Sequence, residues 1–504
     1  MGNNHKIILK NSVYMYVRMF FIMIISLYTS RIVLEVLGAE DFGIYSLVGG
    51  IVSIFTIMSG SLSGTVQRFL NIGLGEGNIV KTKLYFSQSL TIFCIIALLF
   101  LVLGETAGVW FVQNELNIPQ GREIATFWVY QFSLVAVLFN ILQIPFFGVV
   151  IARERMGFFA LLGILDVCAR LLLVVLMNIY GTPDNLIFYA AAIALIQILQ
   201  TVAYFIYTVR QFEECSFRLQ WNRPSLKEMI AFMGLSFWGN TIVTITNQGV
   251  NVILNLFGGA TLNAATGIAK QVNTAVLRMV ECINTPIKPQ IVKSFAAKDF
   301  EQMLFLFERN AKYSLFLMLI LLCPLIIEAQ FILDLWLKDV PAYAVSFTRI
   351  VLAESLFYVL TFGMSTIVNA TGKLMRMEVT GRLITIAILP VSYYLLKVGA
   401  PIYIPLVVSL VSQVAYATYL FTDVKAKTGI TLSRFLKGVI KPVAILAFAL
   451  TISCGIESML VEEGFARFLL VGTTTVAVSL GTIWAFCLDS GEKSFVKNFI
   501  ASKL

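Results

Sequence analysis

Residues 84–105 read LYFSQSLTIFCIIALLFLVLGE, with no charged side chain before Glu105 and with Lys81 and Lys83 just ahead of the run. A mostly apolar stretch of roughly 20 residues is long enough to cross a bilayer as a helix. The same reading extends in both directions. Runs of this kind fall near 11–36, 42–66, 84–105, 125–149, 158–180, 185–207, 228–257, 261–286, 311–333, 345–370, 378–397, 402–423, 436–456 and 466–487. With the N-terminus inside, the inner loops and both termini carry about 27 of the lysines and arginines, against about 4 outside. Cationic loops resist translocation, so this bias holds one topology. The expectation is an all-α integral membrane protein with about 14 transmembrane helices and both ends cytoplasmic.

Composition agrees. Hydrophobic residues make up 58% of 504, charged residues 13%, and mean hydropathy is +0.86. A soluble chain would carry about a quarter charged residues. The net charge of +9 is spread over many short inner loops, which suits anionic lipid headgroups better than nucleic acid. Cys94, Cys168, Cys215, Cys282, Cys323, Cys454 and Cys487 lie mostly within apolar runs and form no CxxC, so neither a disulfide framework nor a zinc site is expected. The single histidine, His5, sits near the start, which leaves little room for histidine catalysis or a histidine metal site. The first apolar run reads as a retained signal anchor, since it is long and lacks a small-residue cleavage site.

No loop is large. The longest stretches between runs are near 67–83, 208–227, 287–310 and 422–435 inside and 106–124 outside, too small for a soluble catalytic domain. The segment around Phe212–Met229 mixes charges with Phe217, Trp221 and Leu226, the pattern of a short interfacial segment on headgroups. It divides the chain into a first lobe over 1–210, a linker over 211–227, a second lobe over 228–425, and a C-terminal pair of helices with a tail over 426–504. An internal echo supports two six-helix lobes. Leu34-Glu35-Val36-Leu37-Gly38-Ala39 ends the first run and Leu254-Asn255-Leu256-Phe257-Gly258-Gly259 ends the seventh, about 220 residues later. Thr65 and Arg68 meet Thr285 and Lys288 at the same offset. Parallel repeats of this kind belong to transporters that rock one half against the other.

Charged and amide side chains within such runs are expensive, and they usually face a bundle interior or a wet cavity. Along the eighth run Asn263, Lys270, Gln271, Thr274, Arg278 and Glu281 fall at helical spacing, with two cations roughly 12 Å apart by helix rise. The seventh carries Asn240, Thr244, Asn247, Asn251 and Asn255 on one face, with Gln248 beside it. Amides and hydroxyls suit a hydrated sugar; the alternative is hydrogen bonding between helices. Arg18, in the inner half of the first run, is placed either to meet a phosphate or to snorkel toward headgroups. Asp166 and Arg170 form an i,i+4 pair deep in the fifth run, either a buried ion pair or an ion-exchanging acid beside a substrate-holding arginine. Arg31 and Glu35 make another such pair near the outer end, where mutual neutralisation is expected. Glu354, Tyr358, Thr361 and Ser365 share a face of the tenth run, and a membrane carboxylate can couple transport to an ion. Arg349, closer to the outer end, reads as structural or interfacial. Glu328 and Asp334, at the outer end of the ninth run, read as solvated.

The opening residues carry a family likeness. Asn11-Ser12, then Ser30 to Leu47 (SRIVLEVLGAEDFGIYSL), then Gln67-Arg68-Phe69 and Gly75-Glu76-Gly77-Asn78, resemble the start of bacterial polysaccharide flippases of the O-antigen type, in the multidrug/oligosaccharidyl-lipid/polysaccharide exporter superfamily. The likeness covers the whole chain in topology and is specific in sequence mainly over the first sixth. It implies a bacterial inner-membrane transporter that flips a polyprenyl-pyrophosphate-linked oligosaccharide to the outer leaflet for cell-surface polysaccharide or lipopolysaccharide synthesis. Polymerase and assembly proteins would be its partners. It implies no cofactor beyond an H+ or Na+ coupling ion, for which Asp166, Glu281 and Glu354 are the candidate carriers. On this reading Arg18, Arg170, Lys270 and Arg278 hold the pyrophosphate. Asn240, Thr244, Asn247, Asn251, Asn255, Gln271 and Thr274 line the path of the glycan.

Three other readings stay open. A drug/cation antiporter of the same fold would want an acidic, aromatic cavity, whereas the central charges here lean positive. A membrane enzyme acting on lipid-linked glycans would want a large outer loop or an acidic metal site; Glu40-Asp41 is the one small outer acidic pair and reads as a turn. A structural partner of a polysaccharide assembly complex would not need the polar stripes.

Overall fold

The computed structural model describes residues 2–114, 121–180, 184–215, 222–337, 340–460 and 464–494. Among them every regular element is helical. The order is α1 (Gly2–Gly75), α2 (Ile79–Leu103), α3 (Val109–Asn114), α4 (Glu123–Ala152), α5 (Met156–Tyr180), α6 (Asn185–Gln211), α7 (Arg223–Ala296) and α8 (Phe300–Ile327). There follow α9 (Ala329–Trp336), α10 (Ala344–Thr371), α11 (Gly381–Ile386), α12 (Ile388–Lys397), α13 (Ile404–Thr428), α14 (Leu432–Phe435), α15 (Lys441–Leu460) and α16 (Phe465–Thr482). Short π turns join several of them, among them Arg376–Thr380 ahead of α11.

Among the described residues 11 helices are long and apolar enough to cross a membrane. They correspond to eleven of the fourteen runs expected from sequence, so the chain is an all-α, multi-pass membrane protein. The other three runs are helical but are not counted among these spans. Runs 11–36 and 42–66 lie within α1, which breaks its helical geometry at Gly38 (φ 74°, ψ 171°). Run 261–286 is the second half of α7, diluted by Lys270, Arg278 and Glu281.

The inner stretches that read as loops near 67–83 and 287–310 are largely helix. α1 runs on to Gly75 and α7 to Ala296, and each turns within three residues into the next helix. The two turns are alike. Gly77 (φ 67°) and Lys298 (φ 61°) take the left-handed conformation. The next residue caps the following helix: the Asn78 side chain accepts from the Lys81 amide at 3.0 Å, and that of Asp299 from the Gln302 amide at 3.0 Å. An N-cap acceptor satisfies one of the orphan amides of the first turn.

The chain divides into two compact units, Met1–Phe237 with Val292–Lys298, and Trp238–Ile291 with Asp299–Leu504. In the first, Val66, Phe69, Phe86, Val150 and Tyr204 are fully enclosed. Gly148 lets α4 approach α1, because a Cβ there would press on Val66. In the second, Leu254, Ala265 and Ala269 of α7 pack with Leu333, Phe347, Ile388 and Leu406. Phe316 of α8 joins Leu446 and Leu450 of α15.

Two expectations need comment. Glu328 is not solvated: its side chain is 0% exposed and takes Arg467 of α16 at 2.8 and 3.1 Å. Its position at the helix end suggested water, but α16 folds its first turn over that end. Of the Arg31–Glu35 pair, Glu35 is exposed and the side chain of Arg31 lies outside what is described, as does much of the interfacial segment, residues 216–221.

Candidate functional site

In the first unit the polar groups climb α5. Gly163 leaves room for Arg18 of α1, since a Cβ at Gly163 would collide with the guanidinium. Arg18 lies 4.3 Å from the centre of the Phe159 ring, a cation–π contact that holds a cation where water is scarce. Phe159 packs on Phe147, and Phe147 on Tyr204 of α6. The Tyr204 hydroxyl lies within electrostatic reach of both Arg18 and Asp166. One turn further along, the Arg170 Nε donates to both Asp166 oxygens, at 3.0 and 3.1 Å. Arg170 in turn acts on Tyr45 and Tyr189, which meet edge to face at 4.9 Å. Asp166 and Arg170 are thus an ion pair, 20% and 32% exposed, with an aromatic neighbourhood on either side.

In the second unit the stripe on α7 is open. Asn240, Asn247, Asn255, Gln271, Thr274, Arg278 and Glu281 are exposed, and Thr244, Asn251 and Lys270 are half-buried. The two halves of α7 meet at Lys270, whose ammonium donates to the Asn251 side-chain oxygen at 3.0 Å and to the Asn247 carbonyl at 3.4 Å. Asn251 in turn donates to Gln248 at 3.1 Å. Thr244 and Thr274 spend their hydroxyl protons on the carbonyls of Asn240 and Lys270. Across from Lys270, Glu354 of α10 accepts from Ser409 of α13 at 2.8 Å and lies within electrostatic reach of the ammonium. Tyr358 is exposed, but Thr361 is buried, so the expected common face of α10 is only partly open. Arg349 donates to the Ile326 and Ile327 carbonyls at the end of α8, a structural role.

The four cations assigned to the head group therefore fall two to a unit, Arg18 and Arg170 in the first and Lys270 and Arg278 in the second. Sequence reading missed a second acid–arginine pair. Glu378, in the π turn, and Arg382, in α11, meet at 3.2 Å. Their signal was the same i,i+4 spacing as Asp166–Arg170. It was passed over because both stand in the first turns of their run, where charges read as loop.

At the helix ends next to the Gly77 and Lys298 turns, Arg68 is 6% exposed and lies 4.7 Å from the Phe69 ring and 4.6 Å from that of Phe232, with Glu228 at 3.9 Å. Arg153 pairs with buried Glu214 at 2.6 Å, and Lys293 with Glu154 at 2.5 Å. Next to Glu214, burial and that carboxylate push the Cys215 thiol up to about 12. Elsewhere in the first unit Arg122, at the start of α4, joins Asp41 to Asp184.

Residues 8–295 match the family model described as "Polysaccharide biosynthesis protein". A curated relative, the "Uncharacterized membrane protein EpsK" of Bacillus subtilis (strain 168), is 28% identical over 96 residues, which is 19% of this chain and 19% of that protein. Among solved structures, a MATE crystal structure superposes with a TM-score of 0.73 at 13% identity, covering 85% of this chain and 97% of that one. A MOP superfamily transporter from Pyrococcus furiosus gives 0.69 at 14% identity, covering 86% and 96%. At these identities the structural likeness establishes the fold alone, the one these transporters share, as the opening residues led one to expect.

Proposed function

Since the chain belongs to the polysaccharide biosynthesis protein family, we propose that it is a flippase carrying a polyprenyl-pyrophosphate-linked oligosaccharide from the inner to the outer leaflet. The observation that carries this reading is the open face of α7, where Lys270 meets Asn251 and Asn247 and Arg278 stands exposed further along the helix. Exposed amides and cations are costly against hydrocarbon and suit a hydrated, anionic cargo. The pyrophosphate and sugars cannot cross the bilayer alone, because burying unpaired charge costs many times thermal energy. Lys270 and Arg278, with Arg18 and Arg170, would meet the phosphate oxygens. Asn240, Thr244, Asn247, Asn251, Asn255, Gln271 and Thr274 would meet the glycan. Transport would proceed by alternating access. Asp166, Glu281 and Glu354 are the proposed carriers of an H+ or Na+ coupling ion.

The proposed setting is the bacterial inner membrane, with both termini cytoplasmic and with polysaccharide polymerase and assembly proteins as neighbours. The chain would bind and move its cargo without altering it, so the reading is of a transporter and not an enzyme. The test is reconstitution in liposomes holding a fluorescent polyprenyl-pyrophosphate oligosaccharide, with access to an external glycosidase as the readout. Protein-dependent access that is lost on Arg278→Ala supports the reading. Drug-cation efflux from the same vesicles without glycan movement replaces it with an antiporter. Cleavage or elongation of the glycan by the purified chain replaces it with an enzyme.

A further inference from the structure

Arg382 is a membrane arginine that the head-group reading leaves unused. The Glu378 Oε2 atom takes its Nε at 3.2 Å, and the two side chains are 7% and 17% exposed. Gly239 of α7 opens the space that the carboxylate occupies, because a Cβ there would overlap Glu378 Oε2. Gly381 does the same for Tyr416, whose ring lies 5.2 Å from the Arg382 guanidinium carbon. Tyr358, 43% exposed, lies within electrostatic reach of both Arg382 and Glu281, and so links the arginine to the open side of α7.

The way the pair meets matters. Among the described residues Glu378 engages Arg382 through Nε alone. A guanidinium offers a planar fork of donors, and its Nη edge matches two phosphate oxygens. A carboxylate on Nε fixes the fork and leaves that edge presented. Asp166 holds Arg170 by the same atom. The repeat offset of about 220 carries Asp166 to a point about two turns beyond Glu378. The second pair therefore lies roughly 12 Å nearer the start of its span. Each arginine is thus fixed in the same way within its own unit, with its fork left for an oxyanion.

We propose that Arg382 is a second anion-binding position, taking a phosphate oxyanion on its Nη edge while Glu378 positions the guanidinium. This deepens the head-group reading above and rests on it. The chemistry admits a pyrophosphate head group or an ordinary lipid phosphate, and the test separates them. The full chain is placed in phosphatidylcholine nanodiscs and titrated with inorganic pyrophosphate by calorimetry. Arg382→Lys, which keeps the charge and loses the fork, should weaken binding about tenfold. The double variant Glu378→Gln with Arg382→Gln, which strands no buried carboxylate, should weaken it at least as much. Weaker pyrophosphate binding in discs containing phosphatidylglycerol supports the site with a lipid headgroup as competitor; unchanged binding supports it with pyrophosphate as the preferred anion. Unchanged affinity in both variants, or no binding by the parent chain, overturns the proposal. Glycan translocation, measured alongside, keeps the two readings apart. Translocation with unaltered pyrophosphate affinity in the variants sinks Arg382 alone. Arg382-dependent affinity without translocation sinks the flippase and leaves the anion site.

Discussion

Lys270 and Asn251 stand 19 residues apart on α7, and the lysine ammonium donates to the asparagine oxygen at 3.0 Å. The bond joins the two halves of this helix and fixes a cation that would otherwise swing on a four-carbon stem. Lys270→Ala should abolish glycan transport while the protein still reaches the membrane. Asn251→Ala should keep the charge and lose its placement, lowering the rate by about tenfold, the cost of one charge-assisted bond. Lys270→Arg should retain part of the activity if charge is what the cargo needs. Liposome translocation at matched protein density decides each case; full activity in Lys270→Ala would remove the cationic-site idea.

Arg18 depends on a glycine for its place. Gly163→Ala puts a methyl group where the guanidinium runs, so Arg18 must leave Phe159. Helix propensity favours alanine over glycine by about 1 kcal/mol, so thermal stability in detergent should hardly fall. Transport should fall several-fold through the displaced cation. A large loss of stability with unchanged transport per folded molecule would mean that Gly163 serves helix packing alone.

The Glu328–Arg467 pair is buried on both sides and ties α8 to α16. Removing the carboxylate takes away the acid that neutralises the buried guanidinium. Glu328→Ala should cost about 3–5 kcal/mol, whereas Glu328→Met with Arg467→Leu should come close to neutral. Thermal unfolding of the purified variants reads both. A double variant as unstable as the single one would show that the charges contribute more than they cost to bury.

Cys215 offers a pH-dependent readout just past the end of α6. Its thiol is raised to about 12 from an ordinary value of 9 by burial and by Glu214. A raised acid keeps its proton in the folded state. Its contribution to stability is therefore intact below pH 9 and is lost as pH rises from 9 toward 12, where the unfolded thiol ionises and the folded one does not. Alkylation at pH 8 needs thiolate, so Cys215 should react only as fast as the protein opens. Peptide mapping after timed iodoacetamide treatment checks this; reaction at the rate of an exposed thiol would refute it.

Much of this was legible in the sequence because length and hydrophobicity decide what can cross a bilayer. The run at 84–105 needs no partner to be read, and eleven spans follow from the same rule. The polar face of α7 was legible through helical periodicity. Glu378 and Arg382 were not, since a charge at the edge of a run looks like a loop charge until α7 and α13 are seen to enclose it. Glu328 failed for the same reason in reverse. Its burial comes from Arg467, 139 residues away, and no local pattern carries that information.

The two turns after α1 and α7 permit a test of the internal repeat at the level of backbone energy. Gly77 and Lys298 hold equivalent left-handed positions, followed by the caps Asn78 and Asp299. Left-handed geometry costs an L-residue about 1 kcal/mol or more, and glycine escapes that cost. Gly77→Ala should therefore lower stability by about 1 kcal/mol. Lys298→Gly should raise it by less, because glycine also gains freedom in the unfolded chain. Asn78→Ala and Asp299→Ala should each lose about 1 kcal/mol through the cap. Thermal unfolding of the four variants should give opposite signs for the two turn residues and equal losses for the two caps. A Lys298→Gly variant that loses stability would mean that the Lys298 side chain holds the turn together by contacts of its own, and that the likeness of the two turns stops at the backbone.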